Sequence, residues 1–366
     1  MSPLKNKWGD QKKAKLGLLG SFVLVTGAVV CSLLFGELAI RIFHPSASLW
    51  HYPNFIKAIV KPDPNHAVLM RYDQVLGYEP RPNSSGMSGG ERASFSSEGF
   101  RNHNLAAPIT GGPLILVIGD SYTEGWAAKD DDTWPAHLER DLHQRVLNAG
   151  VRSYGLDQIV LRAERLVPEI KPSIVVLGFI EDDIERTVLA ARLSVSKPYF
   201  APTSDGLELR NVPVPRRPYV ASFDIARRVL GYSYLLDFAM RRLGATDLWY
   251  GNTLKTGFDA DLLSCRLMQR FADLIQRQKA RALVVALPEY QSWTDSGVGA
   301  SQRKRLTDVL ACASRAGLAT LDAHDGFVAS GVDKDPDAFY AIWHFNDRGN
   351  AVAAKLIAAA LAASAR

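Results

Sequence analysis

An open three-layer α/β/α sandwich around a mainly parallel sheet, set behind an N-terminal transmembrane helix, is the fold this sequence predicts. Three observations predict it. From Leu114 onward, short apolar runs alternate with amphipathic helical stretches, the rhythm of strands joined through helices. Several of those runs are apolar at every position, as strands are when helices cover both faces of a parallel sheet. Near the N-terminus, a long charge-free run follows a cluster of lysines.

The elements follow in chain order. Lys5, Lys7, Lys12, Lys13 and Lys15 are opposed only by Asp10. Residues 16–36 then carry no charge, a length matching the ~20 apolar residues that cross a bilayer core as helix. The lysines precede the run, so residues 1–15 are expected in the cytoplasm and the rest on the far side of a cytoplasmic (inner) membrane, as a single-pass anchor. A cleaved signal peptide fits less well. The run is long for a signal's apolar region, no small-x-small site follows it, and Val30 precedes Cys31 where a lipoprotein site would want a small residue.

Residues 37–113 are irregular and rich in Pro, Gly, Ser and Asn, as in "RPNSSGMSGGERASFSSEGFRN". They read as short strands and loops beside the main domain, or as a stalk. The main domain covers 114–366. Its strands are "LILVIG", "RVLNAG", "SIVVLGF", "ALVVALP" and "LATLDA", and its helices lie at about 134–147, 156–170, 259–279, 301–316 and 347–363. An insertion at about 190–257 separates the third strand from the fourth. Its Pro-rich parts, "SVSKPYFAPTSDG" and "RNVPVPRRPYV", read as loops, and "FDIARRVLGYSYLLDFAMRRL" reads as an amphipathic helix. Such an insertion shapes a substrate site, decorates the surface, or lies on a membrane, the last suggested by Arg227, Arg228, Arg241 and Arg242.

A net charge of +5 over 366 residues, densest at the N-terminus, argues against a nucleic-acid partner. No Cys/His cluster has zinc-site spacing. Cys265 and Cys312 fall in predicted helices of the exported part, where a disulfide is permitted. They either pair or stay as buried thiols.

Sites in open parallel sheets lie beyond the carboxyl ends of the strands. At the first such end stands Gly119-Asp120-Ser121. Gly119 allows a sharp turn and close backbone approach, and Asp120 can hold the turn through its side chain. Ser121 is then either a nucleophile with a free N–H beside it or the N-cap of the next helix. Asn148 and Gly150 end the second run, followed by Ser153 and Gly155. Asp182 and Asp183 end the third, as site carboxylates or as acids favoured at a helix start. His344, flanked by Trp343 and Asn346 before the last helix, suits a general base. His324, directly after the last strand, is the competing base.

Ser, Asn-Gly, acid pair and His, in that order at successive strand ends, resemble the SGNH (GDSL-like) hydrolase superfamily of esterases and acyltransferases. The resemblance covers about 115–366 apart from the insertion, and implies a flavodoxin-like sheet. It implies Ser121 as nucleophile and as one oxyanion donor through its N–H, with the backbone of Ser153 or Gly155 as the second, Ser153 standing where the family has glycine. Asp182 stands where the family's oxyanion Asn is expected, and Asp183 is the expected acid. The family's acid two or three residues before the His is replaced by Ile342 and Ala341, and Asp337 lies farther upstream. That leaves a Ser121–His344 dyad, oriented by a backbone carbonyl. The family's ester chemistry needs no metal or organic cofactor. The implied substrate is an acylated small molecule or a glycan. Rival readings are an acyltransferase acting on an envelope polysaccharide and a degenerate glycan-binding or scaffolding module. "FSSEGFRN" also resembles membrane-tethered bacterial members.

Overall fold

The computed structural model describes residues 7–43, 68–103, 112–204, 206–216, 226, 229–245, 249 and 253–364, with side chains from Gly20 onward. Two compact units emerge: Met1–Pro62 with Val220–Gly251, and Asp63–Tyr219 with Asn252–Arg366. The insertion helix therefore groups with the N-terminal helix. Arg227 and Arg228 lie outside the described residues.

In the first unit, helix α1 (Lys7–Phe43) contains a stretch, Gly20–Phe43, long and apolar enough to cross a membrane, with mean hydropathy 2.2 and none of it buried. The helix runs past the end of the charge-free segment, through Glu37 and Arg41, to Phe43.

The second unit opens with two hairpins, β1 (Met70–Asp73) with β2 (Gly77–Pro80) and β3 (Ser85–Ser88) with β4 (Glu91–Ser94). Leu69, Leu76, Ala93 and Phe95 are buried in the main core, so the described residues 68–103 are short strands packed on the main domain, while 44–67 and 104–111 of the expected 37–113 region lie outside the described residues.

The main sheet comprises β5 (Ile115–Ile118), β6 (Val146–Asn148), β7 (Ile174–Phe179), β13 (Arg281–Ala286) and β14 (Ala319–Asp322), all parallel, in the spatial order β14-β13-β7-β5-β6. This is the flavodoxin-like order, with its switch point between β5 and β7. Neighbouring residues of a strand point to opposite faces, and both faces are covered. Leu116, Ile118, Val175 and Leu177 pack with helices over one face, while Ile115, Val117, Ile174 and Val176 pack with helices over the other. That explains why these strands read as unbroken apolar runs.

Between β5 and β7 come α2 (Ser121–Glu124), α3 (Trp134–Leu142) and α4 (Leu156–Ile170), and after β7 comes α5 (Glu181–Arg186). The helix expected over 134–147 stops at Leu142. His143 takes the left-handed conformation (φ 50°) there, and Val146–Asn148 pairs with β5 as the edge strand instead.

The insertion holds β8 (Leu189–Arg192), β9 (Val195–Ser196), β10 (Tyr199–Thr203), β11 (Gly206–Arg210), α6 (Tyr234–Arg242) and β12 (Leu254–Lys255). "SVSKPYFAPTSDG" is thus not a loop. It supplies a hairpin whose Phe200 is buried in the core, and that burial outweighs its prolines.

After the insertion come α7 (Ala260–Gln278), α8 (Gln291–Thr294), α9 (Ser296–Arg315), α10 (His324–Ala329) and α11 (Asp347–Ala363). Helix α9 starts earlier than expected because Asp295 caps it, accepting from the Gly297 and Val298 N–H groups. Cys265 of α7 and Cys312 of α9 form a disulfide, which settles their pairing.

Candidate active site

The turn after β5 is built by close approach. A Cβ on Gly119 would lie 2.6 Å from the Gly178 carbonyl oxygen, and one on Gly150 would lie 2.3 Å from the Glu124 nitrogen. Both are shorter than real Cβ contacts, so only glycine lets these loops meet. Asp120, not Ser121, is the N-cap of α2: its Oδ1 accepts from the Tyr122 N–H at 2.9 Å. Ser121 is consequently the first helical residue. Its N–H, like the other first-turn donors of a helix, has no intrahelical acceptor, and it meets no acceptor among the described residues. Of the two roles open to Ser121, the cap is taken by its neighbour.

His344 arrives from the other end of the chain. It opens strand β16 (His344–Phe345), which pairs with β15 (Tyr340–Ala341) across a two-residue turn. The turn residues Ile342 (φ 48°) and Trp343 (φ 70°) are both left-handed, the pattern of a primed hairpin turn normally made by Asn and Gly. The Tyr122 hydroxyl donates to the Trp343 carbonyl at 2.6 Å and so ties this strained turn to the helix that carries Ser121.

Ser121 Oγ and His344 Nε2 are 2.9 Å apart, and His344 Nδ1 lies 3.3 Å from the Ile342 carbonyl. A carbonyl can only accept, so Nδ1 carries the proton and Nε2 is left to accept from the serine hydroxyl. The imidazole sits between Trp126 and Tyr122, ring centroids 4.5 and 4.8 Å away. Burial lowers its pKa to about 4, the Ile342 carbonyl opposing that shift.

Beside the serine lies a buried charge cluster. Asp120 Oδ2 is 3.2 Å from Ser121 Oγ and 3.7 Å from Arg186. Arg186 donates to Asp183 at 2.6 Å, to Asp182 at 2.8 Å and to the Tyr154 carbonyl at 3.0 Å. Burial alone would lower the guanidinium pKa, but the charges of Asp183, Asp182 and Asp120 outweigh it and hold it above its usual value. Burial raises the carboxyl of Asp120, and it raises that of Asp183 further with the help of the Asp120 charge, Arg186 opposing in both. Asp182, expected at the oxyanion position, instead lies half-exposed with its charge paired to Arg186. Glu289, just beyond β13, faces the same cluster. Burial, then the Asp182 charge, pushes its carboxyl up to about 8, and Gln302 donates to it at 3.2 Å.

The remaining expected residues separate clearly. Asn148 is fully buried and structural: its amide donates to the Thr123 carbonyl at 2.9 Å and its Oδ1 accepts from the Gly150 N–H at 3.0 Å. The Gly155 N–H turns toward Gln158 Oε1 of α4 at 3.4 Å, and a Cβ there would lie 2.6 Å from the Arg186 Cβ. Ser153 is left-handed (φ 62°) in the loop after β6, and its N–H meets no acceptor among the described residues. Among the described residues, the His324 ring contacts Asp325 and Trp293 and not Ser121. Asp337 accepts from Tyr290 at 2.9 Å rather than orienting His344.

Sequence reasoning missed Arg186, Glu289, Tyr122, Trp126 and a buttress. Glu124 and Arg152 form a fully buried ion pair at 2.5 Å behind the serine turn. Arg101, from the "EGFRN" stretch, binds Asp130 at 2.7 Å and the Ala128 carbonyl at 2.8 Å, holding the loop that follows α2. Arg186 was visible in principle, three and four residues after the acid pair on one helix.

The fold and site thus define an α/β sandwich with a serine–histidine contact at the switch point of its sheet. No protein-family model and no curated protein sequence matches the chain. Among solved structures it is similar to LAE5, an alpha/beta hydrolase enzyme from the metagenome of Lake Arreo, Spain (TM-score 0.43, 14% identity, 69% of this chain and 96% of that one). It is also similar to the acetyl xylan esterase AlAXEase (TM-score 0.42, 14% identity, 68% and 99%). A third is Axe2, an acetylxylan esterase from Geobacillus stearothermophilus (TM-score 0.40, 13% identity, 70% and 96%). At that distance the chemistry has to be read from this chain's own side chains.

Proposed function

We propose that the chain is a serine-dependent esterase acting on O-acyl groups, with Ser121 as nucleophile and His344 as general base. The observation that carries this is the 2.9 Å approach of Ser121 Oγ to His344 Nε2, made by residues 223 positions apart. A pair so remote in sequence meets at a sheet's switch point, where ligand sites of this architecture concentrate, and the imidazole tautomer is the one a base requires.

In the reaction, Ser121 Oγ attacks the acyl carbon while its proton passes to His344 Nε2. The carbonyl oxygen becomes an oxyanion held by the N–H groups of Ser121 and Ser153. The tetrahedral intermediate collapses, and His344 returns the proton to the leaving alcohol. Water, deprotonated by His344, then releases the acid from Ser121. Pairing with Arg186 offsets the repulsion that Asp182 would otherwise exert on the oxyanion.

The chain is further proposed to be held in a cytoplasmic membrane by α1, with the site on the extracytoplasmic side. Its substrate would be an acylated glycan or small molecule, with an acetyl ester as the group removed. A serine-directed fluorophosphonate probe tests the chemistry on the purified full chain. Labelling and acetyl-ester turnover are expected in the wild type. Labelling should vanish in Ser121→Ala, and turnover should fall by about a thousandfold or more in Ser121→Ala and His344→Ala. Glycan binding without Ser121-dependent turnover would replace the esterase reading with a binding module.

A further inference from the structure

The N-terminal helix and the insertion meet through one carboxylate. Glu37 stands immediately beyond the charge-free run. It accepts from the Ser233 hydroxyl (2.8 Å), the Leu235 N–H (2.9 Å) and the Tyr234 N–H (3.1 Å), at the first turn of α6. Arg41 Nε donates to the same carboxylate at 2.6 Å, and Arg41 also donates to the Tyr232 carbonyl at 2.8 Å. Its guanidinium lies 4.9 Å over the Tyr234 ring. Gly36 makes room for this packing, since a Cβ there would come within 3.3 Å of Leu235.

This arrangement engages the only two charged residues between Lys15 and the end of α1. The apolar surface of α1 therefore continues to its last turn, where Leu38, Ile42 and Phe43 are exposed, Phe43 by 81%. The segment docked there is exposed and apolar at both ends: Val229 by 68% and Leu230 before α6, and Leu243 by 77% after it. Helix rise is about 1.5 Å per residue, so a turn fixed to Glu37 starts within a few ångströms of the end of the charge-free run, residues 16–36. With that run across the hydrocarbon core, the depth is the headgroup layer, whose thickness is about 5–7 Å per leaflet. Tyr232, 43% exposed, suits an interfacial belt; in the last turn of α6 Arg241 is paired with Asp237 at 2.8 Å, and Arg242 adds the kind of charge that anionic headgroups attract.

We propose that α6 is an interfacial helix: fixed by Glu37 to the exit of the membrane anchor, it takes the lipid headgroup layer as its partner through Val229, Leu230 and Leu243. This rests on the reading of α1 as an anchor. The insertion thereby becomes a second membrane attachment, continuous in chain with the catalytic unit before Val220 and after Gly251.

The test uses the full chain in vesicles of phosphatidylcholine and phosphatidylglycerol. In a Cys31→Ser background, Val229→Cys and Leu243→Cys are each labelled with an environment-sensitive fluorophore. Val328→Cys, on the catalytic unit, is the aqueous control, and the wild type labelled at Cys31 reports the anchor. The labels at 229 and 243 are expected to be quenched at least twofold more by headgroup-nitroxide lipid than the label at 328, and at least twofold less by iodide. Iodide quenching at 229 and 243 equal to that at 328, with Cys31 still shielded, overturns the interfacial helix and spares the anchor. Iodide access at Cys31 overturns the anchor and this proposal together. Neither result touches Ser121 chemistry, which the fluorophosphonate probe reads separately.

Discussion

Replacing Trp126 with alanine should move the acid limb of the pH–rate profile. His344 is held at a pKa of about 4 chiefly by burial, against an ordinary value of 6.5. The gap corresponds to about 3 kcal/mol disfavouring the imidazolium. The wild type should therefore keep most of its kcat/KM at pH 5, where a histidine of ordinary pKa would be neutral in only about 3% of molecules, a roughly 30-fold contrast. Trp126 is one of two aromatic walls, 4.5 Å from the imidazole. Removing it admits water and should raise the limb by about one unit, or about 1.4 kcal/mol. Stability follows with a definite sign. The folded pKa lies below the unfolded one, so the unfolded chain binds more protons between pH 6.5 and 4, and stability is lost as pH falls through that window. Trp126→Ala should lessen that loss. The assay is kcat/KM for a small acetyl ester from pH 3.5 to 8, with product measured after quenching, beside denaturant unfolding at pH 4.5 and 7. A wild-type limb near 6.5, or an unmoved limb in an active Trp126→Ala variant, would refute burial as the cause.

Tyr122→Phe deletes the hydroxyl that donates to the Trp343 carbonyl. It should cost about 1 kcal/mol of stability and lower kcat several-fold with little change in KM, as steady-state kinetics and thermal unfolding would report. Burial raises the Glu289 carboxyl from 4.5 to about 8, so between those values the folded chain holds a proton that the unfolded chain has lost, and stability falls as pH rises from 4.5 to about 8. Glu289→Gln should flatten that decline, seen as a higher urea midpoint than wild type at pH 9 and a similar one at pH 4.5. Ile342→Asn and Ile342→Asp both place a residue tolerant of positive φ in the strained turn. Each should gain about 1 kcal/mol, or about 2–4 °C in Tm. Only the aspartate adds a charge near His344, so only it should raise the acid limb; equal limbs in the two variants would show that the charge does not reach the ring.

The sheet was legible because nearly every residue of its inner strands is buried, with Ile115 and Val117 on one face and Leu116 and Ile118 on the other. Two-sided burial writes itself as a continuous apolar run. The Phe200 hairpin was not legible, because prolines on either side of it mask a strand stabilised only by what it packs against. The end of α3 was missed for a related reason: His143 adopts the left-handed stop usually marked by glycine. At the candidate site, sequence order singled out Ser121 and His344, and the fold brings their side chains within 2.9 Å of each other. Order could not say which neighbour caps α2, and that depended on whether the Asp120 or the Ser121 side chain turned back to the Tyr122 N–H. Nor could it reveal Tyr122 as a tie across 221 positions, a contact that exists only once the hairpin is folded.

With His344 as the base of the proposed reaction, the missing acid before it changes what that base can do. A carboxylate on Nδ1 would fix the tautomer and also stabilise the imidazolium that forms during attack. The Ile342 carbonyl does the first through a 3.3 Å contact, but as a neutral dipole it does less of the second. The aromatic walls make the imidazolium costlier still. With its pKa lowered toward about 4, His344 would be neutral and available at neutral pH yet a weak base, and the proposed reaction would draw compensation from elsewhere in the site. Glu124 contributes, since its charge raises the His344 pKa, while Arg186 and Arg152 lower it. Glu124 is itself paired to Arg152, so most of its field is cancelled. Chemistry that demands little basicity suits such a site: attack on an activated or well-leaving ester.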